Sequence, residues 1–244
     1  SMTLWAQFGL LSSHARCHGT SPREPWMFGN AATEIFRKYA KLRYRLIPYL
    51  YSYAHISSRT GIPLMRAMVL EFQEDAATYS IDSQYMLGGE LLIAPVLDGG
   101  DRRQVYLPSG KWIDFWSDEE YDGPVYLDYV SAIDKIPVFV RADSIIPLGP
   151  EMSYVGEKPL NTITLEIYLY REAKFELIDD DETILFSATM DDKNIRLSIG
   201  NLRKNYTICF HNIPSPKRVF INGRECKGWS YDEKMRSLSL DFPA

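Results

Sequence analysis

Gly88-Gly89-Glu90-Leu91-Leu92-Ile93-Ala94-Pro95-Val96-Leu97 is where the chain changes texture. Upstream of it, apolar residues recur at helical spacing. Downstream, short β-rich runs alternate with turn residues: Leu91–Leu97, Gln104–Leu107, Trp112–Trp116, Val125–Leu127, Val138–Arg141 and Ile145–Leu148. Pro108-Ser109-Gly110 and Asp122-Gly123-Pro124 read as turns between them. Strands at this spacing imply an antiparallel sandwich. Gly149-Pro150 through Pro159 reads as a linker. A second β-rich block follows at Thr162–Tyr170, Lys174–Ile178, Thr183–Ser187, Ile195–Ile199, Tyr206–His211, Val219–Ile221 and Leu238–Leu240. Asn222-Gly223 is a strong hairpin signal, because both residues tolerate positive φ.

Outward toward the N-terminus, a helix starts near Asn30. Ile35, Tyr39, Leu42 and Leu46 form its apolar face, and Arg37, Lys38, Lys41 and Arg45 fill the other side. Pro48 lacks the amide proton and clashes one turn back, so the helix kinks there. The pattern resumes through Tyr49, Leu50 and Tyr53 and stops at Gly61. Leu64–Phe72 suits a strand buried on both faces, and Thr78–Leu87 a short helix. Residues 1–29 read as irregular, punctuated by Gly19, Pro22, Pro25 and Gly29, with one short strand near Leu4–Gly9. One strand–long-helix–strand unit is what the tail of a (β/α) barrel would leave. The expected fold class is therefore an α/β barrel remnant followed by two all-β antiparallel sandwich domains, mainly β overall. The expected boundaries are 1–87 for the remnant, 88–158 for the proximal sandwich and 159–244 for the distal one.

Composition excludes several classes. The chain has 244 residues, 45% hydrophobic and 24% charged, ordinary for a globular protein. A formal net charge of −5 argues against a nucleic-acid partner, which calls for a basic face. No apolar run approaches membrane-spanning length, so no membrane partner is expected. The N-terminus shows no signal-peptide pattern. Cys17, Cys209 and Cys226 are three and far apart, which favours a reducing compartment over a disulfide framework. A cytoplasmic location is the expectation. Asn205-Tyr206-Thr207 is then a chance sequon. Ser1-Met2 reads as a serine left by cloning ahead of a start methionine.

The chemistry-bearing stretch is Phe8-Gly9-Leu10-Leu11-Ser12-Ser13-His14-Ala15-Arg16-Cys17-His18-Gly19. On a helix, His14 and His18 would share a face, as zinc ligands require. Ser12-Ser13 before them and Gly19 after them argue for a loop instead, and no carboxylate or thiolate completes a ligand set. Neither a metal nor a cofactor is expected, and read alone the pair suits hydrogen-bonded structural histidines. Asp179-Asp180-Asp181-Glu182 is a dense acidic run between strands and reads as a solvated turn; it lacks the spacing and glycine of a calcium loop. Asp118-Glu119-Glu120 reads as a surface loop. Trp112, Trp116 and Trp229 could stack on sugars, but sandwich-core packing is the simpler reading.

The same stretch resembles the histidine loop of glycoside hydrolase family 31. Arg16, His18 and Gly19 match the family's Arg-x-His-Gly, and Leu10-Leu11-Ser12-Ser13-His14 is similar to its α-xylosidase branch. Further matches run in order along the chain. Arg23-Glu24-Pro25-Trp26 follows the histidine, and Pro48-Tyr49-Leu50-Tyr51 fits the kinked barrel helix. Met65-Arg66-Ala67-Met68 with Glu71-Phe72 resembles the last barrel strand. Asp82, Gln84–Gly88 and Ala94-Pro95-Val96 resemble the start of the proximal β-domain, with Tyr106-Leu107-Pro108, Gly110-Lys111-Trp112 and Pro137–Arg141 beyond. The resemblance is strong from about residue 4 to 150 and weak in the distal block.

What it implies is a retaining α-glycosidase, an α-xylosidase or α-glucosidase, acting on terminal α-linked xylosyl or glucosyl residues through two carboxylates. His18, with Arg16, would be substrate-binding. The family's nucleophile motif (Lys-Thr-Asp-Phe-Gly-Glu-like) and acid/base Gly-Asp motif do not occur here, so no catalytic residue is assigned and the chain alone is expected to be inactive. The expected partners are the saccharide and either the missing barrel portion or a second copy, through apolar surface at Met65, Met68, Val69 and Leu70. The alternative is a non-catalytic carbohydrate-binding or assembly module.

Overall fold

The computed structural model describes residues 2–97, 99–180, 182–200 and 203–243; Ser1 and Asp181 of the readings above lie outside them. Helix α1 spans Met2–Leu10, α2 Asn30–Arg45, α3 Ile47–Thr60 and α4 Met68–Glu71. Strands in the first half are β1 (Met65–Ala67), β2 (Tyr85–Leu87), β3 (Leu91–Ile93), β4 (Arg102–Asp114), β5 (Glu120–Val130) and β6 (Val138–Arg141). Those in the second are β7 (Ser144–Leu148), β8 (Thr162–Tyr168), β9 (Glu172–Asp179), β10 (Glu182–Met190), β11 (Ile195–Ile199), β12 (Asn205–Phe210), β13 (Val219–Ile221), β14 (Arg224–Cys226), β15 (Trp229–Asp232) and β16 (Ser237–Phe242). The chain divides into two compact units, residues 1–44 with 53–141, and residues 45–52 with 142–244.

The mainly β reading holds, and among the described residues the strands pair antiparallel except for β8 with β12. In the first unit a single sheet runs β1-β2-β3-β6-β4-β5. Its core is Met68, Met86, Leu92, Ala94, Val105, Leu107, Trp112 and Phe139, all fully buried. Trp112 is therefore a packing residue, and its indole N–H donates to the Pro108 carbonyl at 2.8 Å. Tyr121 and Tyr129 meet Phe139 edge-on, each at 5.7 Å. Helix α2 buries Ala32, Ile35 and Tyr39. The Tyr39 hydroxyl accepts the Ile136 amide at 3.0 Å, and the Lys38 ammonium pairs with Asp134 at 2.8 Å while lying over the Trp116 ring. The Trp116 indole donates to Ile136 O, so it too is a packing residue. Glu71 accepts from Arg66 on β1 at 2.8 Å and from Arg141 on β6 at 3.2 Å, a triad that ties α4 to two strands.

In the second unit a five-stranded sheet, β15-β16-β12-β8-β7, and a three-stranded sheet, β11-β10-β9, contribute alternating apolar residues to the core. Ile163, Leu165, Ile167, Phe175, Leu177, Ile184, Phe186, Tyr206, Ile208 and Phe210 are all buried. Residues 45–52, the end of α2 and the start of α3, belong to this unit: Tyr49 stacks on Phe175 at 5.6 Å, and the Ser52 hydroxyl accepts the Ile178 amide at 2.9 Å. Asn222-Gly223 joins β13 to β14 with both residues at positive φ, as its dipeptide predicts. The acidic run sits at the β9–β10 hairpin, where Asp180 has positive φ. Asp179 is not merely solvated; it holds the Lys204 ammonium at 2.7 Å.

Five local expectations are corrected. The Leu4–Gly9 strand is helix α1, which buries Ala6, Gln7 and Leu10 on one side. Leu64–Phe72 is strand only at Met65–Ala67 and then turns into α4, because Met68 goes into the core while Val69 and Leu70 stay exposed; Met68 therefore leaves the exposed patch. The Thr78–Leu87 helix is a 3-10 turn at Ala76–Thr78, N-capped by the Asp75 carboxylate accepting from the Ala77 amide, followed by buried strand β2. The turns at 108–110 and 122–124 are a bulge within the long β4–β5 pairing. The Pro48 kink is a break at Leu46 between α2 and α3, and α3 ends at Gly61 with φ 76°.

That bulge explains Gly123. A Cβ there would lie 1.9 Å from the Pro108 carbonyl oxygen, the atom that accepts the Trp112 indole N–H. Gly123→Ala is expected to cost about 3 kcal/mol or more in urea unfolding, since it forces backbone apart in a packed core; a loss below about 1 kcal/mol would show that the bulge yields.

Candidate functional site

Residues 14–18 are a loop, as Ser12-Ser13 and Gly19 suggest, and His14, Arg16, Cys17 and His18 are all exposed on it. The two histidines therefore do not share a helical face, and among the described residues no cluster of three or more metal-ligating side chains forms. The His14 Nδ1 lies 3.1 Å from its neighbour Ser13 Oγ. Gly19 has a steric reason to be glycine: a Cβ would meet Arg23 Nε at 2.8 Å. Arg23 thus lies against the end of the loop and connects it to Pro25–Phe28, a 3-10 turn that exposes Trp26, Met27 and Phe28 in succession.

The start of the loop is built differently. Helix α1 ends at Leu10; the Phe8 and Gly9 carbonyls take the Leu11 and Ser12 amides at 3.2 Å, and the carbonyls from Leu10 onward are served by side chains. Arg43 of α2 supplies three replacements: Nη1 donates to Leu10 O at 3.0 Å and Ser12 O at 2.5 Å, and Nη2 donates to Ser13 O at 2.9 Å. The Tyr85 hydroxyl on β2 donates to Leu11 O at 2.8 Å. The Ser12 hydroxyl lies within 2.7 Å of both Gly9 O and His14 O and donates to one or the other. Burial lowers the Arg43 pKa and raises that of Tyr85, but both remain in their ordinary forms at neutral pH. A guanidinium suits the negative end of a helix.

Arg16 and His18, the residues that the sequence singled out, both lie exposed on the 14–18 loop. The sequence reading did not single out Arg43 or Tyr85. Arg43 was not among the helix-face cations named, although its place one turn from Tyr39 on α2 could have flagged it. Hydrogen-bond donors on an exposed loop beside an aromatic turn suit a polyhydroxylated ligand.

Residues 1–53 match the TIM-barrel domain of glycosyl hydrolases family 31, and residues 61–146 match the C-terminal domain of the same family. The chain belongs to glycosyl hydrolase family 31. It is 36% identical to an α-xylosidase of Saccharolobus solfataricus over 211 residues, covering 82% of this chain and 29% of that protein. It is 33% identical to α-glucosidase 2 of Bacillus thermoamyloliquefaciens over 186 residues, 74% of this chain and 24% of that one. Among solved structures, it is 32% identical to the family 31 dextranase of Flavobacterium johnsoniae in complex with isomaltotriose, with a TM-score of 0.90 over 99% of this chain and 35% of that chain. The chain thus spans about a third or less of the relatives it matches.

Cys17, Cys209 and Cys226 are all free thiols. Burial, helped by the Glu166 carboxylate, pushes the Cys209 thiol up to about 11, leaving roughly one part in 1,000 as thiolate at pH 8. Iodoacetamide at pH 8 is therefore expected to alkylate exposed Cys17 first, with Cys209 about 100-fold slower or more by peptide mass spectrometry. Equal rates would contradict the buried placement of Cys209.

Proposed function

We propose that this chain is the C-terminal portion of a retaining α-glycosidase that hydrolyses terminal α-linked xylosyl or glucosyl residues. The observation that carries this is the ordered pair of family 31 matches, barrel first and C-terminal domain second. In this reading residues 1–87 are a barrel remnant, 88–158 the proximal β-domain and 159–244 the distal one. His18 and Arg16 bind substrate by donating hydrogen bonds to sugar hydroxyls. The α-xylosidase and α-glucosidase relatives, and the isomaltotriose bound by the dextranase, support an α-linked saccharide as the ligand.

The bond-breaking carboxylates belong to motifs that this sequence does not contain, so the chain alone contributes binding groups and no nucleophile or proton donor. Purified chain is expected to give no turnover of aryl α-xylosides or α-glucosides above host background. Joined behind a family 31 barrel segment bearing both aspartate motifs, it is expected to give activity, and His18→Ala to lower kcat/KM by about 10–100-fold. Turnover by the chain alone, or an H18A variant with unchanged kcat/KM, would reject this reading.

A barrel remnant needs a partner for its apolar surface. Val69 and Leu70 on α4, and Trp26 to Phe28, are exposed, and such surface drives association. Light scattering is expected to show self-association that falls when the barrel segment is supplied. A strictly monomeric chain at tens of micromolar would count against it.

A further inference from the structure

Four consecutive backbone carbonyls, those of Leu10, Leu11, Ser12 and Ser13, each accept a side-chain hydrogen bond from a distant part of the chain. Three come from one guanidinium on α2 and one from a phenol on β2. A guanidinium carries five N–H donors in a rigid plane, so it can serve several carbonyls at once; an ammonium on a flexible stem cannot hold the same set. The phenol is itself fixed, because the Tyr85 ring packs edge-on against Phe8 of α1 at 5.9 Å and Tyr85 pairs with both Ala67 and Ile93 in the sheet. Past Ser13 the chain has neither helix nor strand until Pro25. The direction in which the loop leaves α1 is therefore set at these four peptides.

We infer that Arg43 and Tyr85 are positioning residues for the histidine loop, acting through the 10–13 carbonyls to hold Arg16 and His18 where a ligand can meet them. Neither side chain need touch the ligand. This rests on the proposed sugar contact for what the loop is for, but not for whether the clamp exists. At the far end the Arg23 side chain lies beside Gly19, while the middle of the loop stays open to solvent.

The test uses the full chain without sugar. A nitroxide on Cys17, in a C209S/C226S background, reports the loop directly, and amide hydrogen exchange at Leu11 and Ser12 reports its root. In Arg43→Met the nitroxide is expected to move at least threefold faster and the Leu11 and Ser12 amides, which donate to Phe8 O and Gly9 O, to exchange at least tenfold faster, with exchange at Ile163–Ile167 unchanged. Arg43→Lys should recover less than half of the difference. Tyr85→Phe removes one oxygen only and should raise exchange in the same segment more modestly; it carries the test if R43M fails to fold. Unchanged loop mobility in both R43M and Y85F would overturn the inference. So would exchange that rises equally at Ile35–Tyr39 and Val105–Trp112, since that would make the role one of general stability. Because no sugar is present, these outcomes stand apart from the H18A assay, whose failure would retire the sugar contact and leave the clamp in place.

Discussion

A helix that ends inside a protein leaves its last carbonyls without partners, and buried carbonyls without partners are costly. Helix α1 ends in that situation. The organisation around the candidate site follows from how the debt is met: α2 must pass close enough for Arg43 to reach three oxygens, and β2 must present Tyr85 to a fourth. The placement of α2 is fixed independently by Tyr39 and Lys38 on the 134–136 segment. One helix therefore joins the sheet-side core to the root of the histidine loop, and its two jobs fall on residues four positions apart, on adjacent parts of one helical surface.

Hydrogen bonds to charged donors decide where the loop begins, but sterics decide where it stops. Gly19 and Gly123 share a logic although they sit in unrelated places. In each, another group occupies the volume a side chain would need: an arginine stem in one, a backbone carbonyl in the other. The arginine can swing away and the carbonyl cannot, so Gly123 is the stricter requirement.

Legibility in the sequence followed local pattern rather than length: the longest strands, β4 and β5, were read as broken at the 108–110 and 122–124 turns, whereas some short strands stood out. Helix α2 showed itself through Ile35 and Tyr39, and β6, β11 and β13 appeared at their observed bounds because alternation, turns and β-branched residues agreed. Helix α1 was missed because Gly9 and the aromatic, apolar run Leu4–Leu10 carry no helical stripe; the helix is fixed by burial of Ala6, Gln7 and Leu10. The segment 64–72 was ambiguous for the same reason, since an apolar run of that length suits strand or helix until its neighbours are known. Strands β14 and β15 are too short and too polar to stand out. At the candidate site, Arg16 and His18 were singled out only through family resemblance. Arg43 and Tyr85 were not, because a side chain that serves distant backbone leaves no local pattern.

Strand β5 is the outermost strand of its sheet and runs for 11 residues with alternate side chains exposed. Such a margin is a template onto which a second chain could add its own strand. Here it carries Glu120, Asp122 and Asp128, and Pro124 contributes no N–H to a new ladder. All three are paired with cations of the neighbouring strand, Glu120 and Asp122 with Lys111 and Asp128 with Arg102, so the margin is lined with ion pairs rather than with a bare apolar edge. The fold thus guards this border by charge and by a missing donor rather than by cover.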